Sequence, residues 1–381
     1  MSVWFKFKIT FLFAFAGCVC FPYATTLATL QTEEKATEKE TAEEESSKTE
    51  NSNTQDEEVG KTQEQDPSDK EQAADKPENS KSRKKKSDEE LDPIKGVSFS
   101  NPVETKWQIG AVVVGGSSSA RDMILTIPLP NDWPEQTVTL MEEKIPSNSA
   151  TANYRDMKSG VRQLVVKIPK IRANQQIPIA ITILVSTSQV EGPLDPTQFV
   201  RAKKSNREGK PYLGMSPQIN PRDSKIRKLL KEITNDKPNV WEEIEAIYDW
   251  IGDNIAEVEQ PAKDSTAVLK SKEGGNESKT GLFVAMCRAH KIPARMVWVE
   301  GTQHAEFMLA DSQGNAHWFP CSVGGYQEFG SVSEPRIILQ KGDSIKVPEK
   351  DRVQKFVAEF AICKGAAKPQ VHFFRRVLAD E

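Results

Sequence analysis

The apolar positions of this chain change their spacing three times. Residues 31–93 have almost no apolar positions: beyond alanines only Val59 and Leu91 qualify. From Val97 to about Pro193 the spacing is two. Ile177, Ile179, Ile181, Ile183 and Val185 give the clearest case, with further strands expected near Lys106–Val114, Met123–Leu129, Gln136–Met141 and Val161–Ile168. Pro, Gly, Asn and Ser bound these runs, and Ile127–Pro134 is turn-rich enough to predict an edge with a loop. The segment reads as a small all-β sandwich. After Pro221 the spacing becomes helical. Ile226, Leu229, Leu230 and Ile233 form one face, with Asp223 or Ser224 available as a cap. Trp241, Ile244, Ile247, Tyr248 and Ile251 form the face of a helix expected over 240–254, opened by Asn239 and Glu242 in a capping-box spacing.

A third helix is expected within Gly274–Arg295, where Leu282, Phe283, Ala285, Met286 and Ala289 are apolar. Period two then returns in Met296–Val299, His304–Leu309 and His317–Cys321, with Asp311–Asn315 as the hairpin turn between the last two. Ile337–Leu339, Lys355–Cys363 and Gln370–Val377 are expected to add strands to the same domain. Helices followed by antiparallel strands make this half α+β.

Charge separates the tail from the rest. The 381-residue chain carries a net −4, but residues 31–93 hold 21 acidic and 11 basic side chains, a local −10. Such a segment cannot bury enough surface to offset chain entropy and is expected to be an extended, disordered tether. Arg83–Lys86 is a basic cluster within it, read as a solvated charge run. The remainder is only mildly basic, which does not indicate nucleic-acid binding. At the N-terminus Lys6 and Lys8 precede an apolar run from Ile9 to Phe21, too short to span a membrane and read as an export signal. Cleavage after Ala24 or Ala28 is the reading taken. Phe15-Ala16-Gly17-Cys18 approximates a lipobox, and lipidation at Cys18 would anchor the protein to a membrane. Either route places the protein outside the cytoplasm: periplasmic, envelope-associated or extracellular. The expected organisation is an export signal over 1–28, a tether over 29–95, the sandwich over 96–193, a linker over 194–221 and the α+β domain over 222–381.

Several blocks in order resemble the transglutaminase-like superfamily, which has the papain-like fold. They are Tyr212–Ile219, Ala246–Ile251, Leu282–Arg295, His304-Ala305 and Trp318-Phe319-Pro320. The resemblance covers roughly 211–320. It implies a Cys at a helix start, a His on a strand and an Asp on the next strand, with transamidation, deamidation or peptide hydrolysis among the activities. A helix N-terminus and a nearby imidazolium lower a thiol's pKa, the His carries the proton, and the Asp fixes its tautomer. Carried over by position, these are Asn276, His304 and Ser322, so one of three matches. An amide is no nucleophile, and a serine orients imidazole weakly.

Asn276 is expected to act as the helix N-cap. Asn276-Glu277-Ser278 is also a glycosylation sequon. His304 is open to reading as a ligand contact, a weak base or a satisfied strand histidine, with Glu300 and Glu306 the nearest carboxylates in sequence. Trp298, His317 and Trp318 are candidate binding residues around the cleft. Cys287 is expected to be a buried packing residue, Cys321 to point to the strand face opposite Ser322 and Cys363 to lie in a later strand, so none is placed to replace the nucleophile. The spacing of Cys and His suggests no metal site, and no cofactor is implied. Three functions follow: an inactive domain binding a protein, peptide or cell-envelope component through the inherited cleft; an enzyme with altered chemistry around His304; or a structural scaffold.

Overall fold

A computed structural model describes residues 96–379, apart from 158, 159, 205 and 367. The export signal, Cys18 and the tether lie outside the described residues. The chain order begins with six strands: β1 (Ser98–Val114), β2 (Ala120–Leu129), β3 (Gln136–Lys144), β4 (Thr151–Asp156), β5 (Arg162–Ile171) and β6 (Gln176–Glu191). Next come α1 (Ser224–Thr234), α2 (Val240–Asn254), β7 (Ala256–Glu257), α3 (Ser265–Ser271), β8 (Glu273–Gly274) and α4 (Asn276–Ala289). Strands β9 (Ala294–Val299), β10 (Thr302–Ala310), β11 (Ala316–Ser322), β12 (Glu328–Phe329) and β13 (Ile338–Lys341) follow, and β14 (Phe360–Lys364) and β15 (Gln370–Val377) close the chain. Among the described residues no helix is long and apolar enough to cross a membrane.

The sandwich consists of two four-stranded sheets, ordered β15-β1-β6-β3 and β14-β2-β5-β4. Alternate residues fill the space between them: Trp107, Ile109, Ala111 and Val113 from β1 meet Leu125, Ile127, Leu164 and Val166 from the facing sheet. All five alternating residues of Ile177–Val185 are buried there. Pro128 sits in β2 beyond Thr126, the last residue that β14 pairs, so its missing N–H faces an open edge. β4 was not expected from the pattern, because an edge strand with Thr, Asn, Arg and Asp carries no apolar alternation.

The sandwich is completed from the far end of the chain. β15 pairs with β1 from Trp107↔Val377 to Val114↔Gln370, and β14 pairs with β2. Residues 360–377 therefore belong to the sandwich and not to the α+β domain, correcting the 222–381 boundary. Ala361, Cys363, Val371 and Phe373 pack on the sandwich core, and that burial recruits both strands. Lys355–Glu359 is not strand; β14 starts at Phe360.

The inserted domain is mixed α+β. Its helices cover one face of a sheet ordered β12-β11-β10-β9-β13. α1 starts at Asp223, whose carboxylate accepts from the Lys225 and Ile226 amides, and α2 at Asn239, which accepts from Glu242 N at 3.0 Å. α4 is buried along most of its length. Arg288 on α4 is 2% exposed and donates from Nη2 to both carboxylate oxygens of Asp343 at 2.8 Å. The same guanidinium donates to the Ala294, Gly214 and Ser216 oxygens, and Asp343 accepts from Met296 N at 3.0 Å. One buried pair thus fixes the helix, β9, the segment before α1 and the chain after β13. Replacing Arg288 by Ala strands a buried carboxylate, and urea unfolding should show a loss of ~3–5 kcal/mol.

Candidate functional site

β10 distributes its side chains by parity. Ala305, Phe307 and Leu309 enter the core beneath the helices with Phe319 and Cys321 of β11. His304, Glu306 and Trp318 line a cleft of about 670 Å³ on the other side. The opposite wall belongs to the sandwich, including Val97, Phe99, Glu135 and Val190. Cavities of this size accommodate small ligands or peptide side chains.

The helix α4 reaches the rim of this cleft with its first residues. Its N-cap is Gly275, in extended conformation and without a side-chain cap. Asn276 is the first helical residue, so the expectation that it caps the helix is corrected. Its amide Nδ2 instead donates to Thr302 Oγ1 at 2.7 Å and to the Gln303 carbonyl at 3.1 Å. Its Oδ1 accepts from Thr280 Oγ1 at 3.3 Å. Gly324 lies against it, where a Cβ would come within 2.6 Å of Asn276 Oδ1. Glu257 latches the adjoining loop by accepting from Gly325 N, and Lys279 of α4 approaches the same carboxylate at 3.4 Å. A sequon asparagine held in this way has no free amide for glycosylation.

The antiparallel register pairs Ala305 with Cys321, so the next residues outward, His304 and Ser322, are cross-strand neighbours. The three carried-over positions therefore converge at one end of the β10–β11 pair. No hydrogen bond links them among the described residues. Ser322 Oγ donates to the Gly324 carbonyl at 3.3 Å, and Asn276 reaches the backbone of Gln303, not the imidazole.

Charge dominates the floor. Glu306 is 4% exposed. Arg295 donates to it from Nε at 2.6 Å, and Lys341 donates to its other oxygen. Lys341 also bonds Glu135 from the sandwich, so the network crosses between the two halves of the cleft. Burial pushes the Glu306 carboxyl up, but Arg295 and Lys341 outweigh it and hold the group at about 2. His304 is pushed down to about 4, first by burial and then by Lys341 and Arg295 against the opposing Glu306. Its imidazole is neutral at pH 7. Both oxygens of Glu306 are taken by these cations, which leaves it unsuited as a base partner, and Glu300 is exposed at the end of β9.

The three aromatic candidates separate. Trp318 lines the cleft, with Arg295 stacked on its ring at 3.9 Å and Tyr212 edge-on at 5.3 Å. His317 also lines it and is tied to Asp311 Oδ2 at 3.0 Å. Trp298 does not: it faces the other way, donating to the Gly342 carbonyl at 3.2 Å and packing on Phe356 at 5.1 Å. Cys287 and Cys321 are buried free thiols, both pushed up by burial, and Cys363 is a free thiol in the sandwich. Sequence reasoning missed Lys341 and Glu135, whose contact with Glu306 joins positions far apart in the chain. The signal for Glu306 was present, two residues from His304 on the same strand face.

Residues 227–327 match the sequence profile of the transglutaminase-like superfamily. The chain carries a transglutaminase-like domain. Two solved structures are similar to it. One is a candidate cysteine protease from Cytophaga hutchinsonii, 17% identical over 75% of this chain and 94% of that one, with a TM-score of 0.49. The other is a candidate protease from Parabacteroides distasonis, 15% identical over 61% of this chain and 48% of that one, with a TM-score of 0.24. No curated protein matches the chain.

Within this transglutaminase-like domain the geometry yields two tests. A capping asparagine tolerates replacement by Asp, whereas an amide that donates does not. Asn276→Asp and Asn276→Ala should both lower the unfolding free energy, by ~1–3 kcal/mol, with Asp no better than Ala in urea unfolding at pH 7. His304 binds its proton more weakly when folded than its ordinary 6.5, so it favours the native state above pH 6.5. That contribution is lost as pH falls from about 6.5 through about 4. His304→Asn should flatten the decline of Tm across this window.

Proposed function

We propose that this is a non-catalytic transglutaminase-like protein that binds a peptide or cell-envelope component in the cleft between sandwich and inserted domain. One observation carries the reading. At the first position of α4, where the family places its nucleophile, stands a carboxamide whose N–H groups are committed to Thr302 and Gln303. An amide nitrogen cannot attack an acyl carbon, and this one also works as a structural tie between helix and strand. The neighbouring positions agree with that reading. Ser322 bonds the Gly324 carbonyl, and His304 is neutral with no hydrogen-bond partner among the described residues. A neutral imidazole in the same cleft as Trp318 and the Glu306 network still offers a donor, an acceptor and an aromatic face to a ligand. The export signal and charged tether read from the sequence suit a domain held outside the cytoplasm, in the cell envelope or beyond it.

Turnover assays on the full chain test this. Wild-type protein should neither hydrolyse nor transamidate a glutamine-containing peptide library, and His304→Ala should change nothing in that assay. Wild-type turnover that disappears in His304→Ala would overturn the proposal in favour of an enzyme with altered chemistry. Binding to the same library should quench Trp318 fluorescence and weaken in Trp318→Ala.

A further inference from the structure

We propose that the open end of the β14-β2-β5 sheet face docks on an anionic phospholipid bilayer. Two adjacent cross-strand rows make up this surface. In the first, β14, β2 and β5 place Lys364, Arg121 and Lys170 side by side. In the second they align Ile362, Ile124 and Lys167. The four cations are exposed, and Ile362 is 54% exposed. Asp122 is the carboxylate that reaches this group, pairing with Lys364 at 3.2 Å while both side chains remain mostly in water. A pair so exposed offsets little of the repulsion.

The rest of the face is covered. Segment 345–357 crosses it, with Lys350 over the Phe360 ring at 3.9 Å and Glu349 paired with Arg155 of β4 at 2.8 Å. The two rows lie beyond this cover.

Like charges directly opposite each other on neighbouring strands destabilise a sheet. Protection of an edge strand explains Lys364, because β14 is an edge. It covers Lys170 as well, which lies past Thr151↔Lys167 where β4 stops pairing β5, but it does not explain Arg121, which is paired on both sides. Solubility would account for cations but not for an exposed isoleucine set among them. Cations framing an exposed apolar side chain match the chemistry of a bilayer interface: the cations meet anionic headgroups and the isoleucine enters the acyl boundary. A soluble polyanion would engage the cations and leave Ile362 in water.

The test is co-sedimentation of the full chain with phosphatidylcholine vesicles, with and without about 30% phosphatidylglycerol, at low and high salt. Wild-type protein should partition preferentially onto the anionic vesicles. Arg121→Gln/Lys170→Gln should reduce that preference roughly tenfold or more. Ile362→Ser should leave the low-salt preference and weaken the salt-resistant part. The apolar run near the N-terminus is common to all three proteins, so differences between them report on the sheet face. Both sets of substitutions are at exposed positions, and an unchanged Tm shows that the fold is kept. Three results would each overturn the proposal: equal binding to neutral and anionic vesicles, an unchanged preference in the double variant, or capture by soluble polyphosphate without vesicle binding.

Discussion

The cleft depends on neutralising one buried carboxylate. Glu306 sits on a strand in the middle of its sheet, and an ion removed from water there costs several kcal/mol unless it is paired and hydrogen-bonded. Arg295 and Lys341 supply that pairing, and Lys341 extends it to Glu135 on the sandwich. The same ions set the other features of the site. Arg295 stacks on Trp318, Lys341 joins the two walls of the cleft, and both cations add to the burial that presses the imidazole of His304 toward its neutral form. Because β14 and β15 return to the sandwich, the inserted domain is attached to it at both ends, which leaves the cleft preformed.

On the proposed reading, the site around this floor keeps the positions of an acyl-transfer centre without its groups. The helix start, the strand histidine and the next strand come together, yet each side chain is engaged elsewhere or unpaired. Asn276 ties α4 to β10, and Ser322 bonds a neighbouring loop carbonyl. Fold and activity are separable for this reason: packing of α4 against β10 requires a side chain that fits at the helix start, not one that reacts.

Much of the architecture was legible because it rests on local signals. Asp223 and Asn239 cap the helices that their neighbours' periodicity predicts, and the Ile177–Val185 alternation points inward throughout. What was not legible depends on distant partners. Asn276 read as a cap because Asn suits a helix start, but its partners Thr302 and Gln303 lie beyond the rest of α4 and the whole of β9. Trp298 and Trp318 look alike in sequence, and only Gly342 and Phe356 decide that Trp298 turns away from the cleft. Strands β14 and β15 carried the right alternation but not the information that their partners lie more than 200 residues upstream. Edge strand β4 and short helix α3 lacked an apolar period altogether.

On the proposed non-catalytic reading, the nucleophile position keeps the helix N-terminus but has lost both its reactive group and an imidazolium placed to activate one. The most direct measurement is the pH dependence of iodoacetamide alkylation at the thiol of Asn276→Cys, with the wild-type cysteines subtracted as background. On this account the helix N-terminus alone should lower that midpoint somewhat from the ordinary value of about 8.5, and adding His304→Ala should leave it unchanged. A midpoint well below about 7 that rises when His304 is removed would contradict it, because it would show a histidine still placed to activate a thiolate.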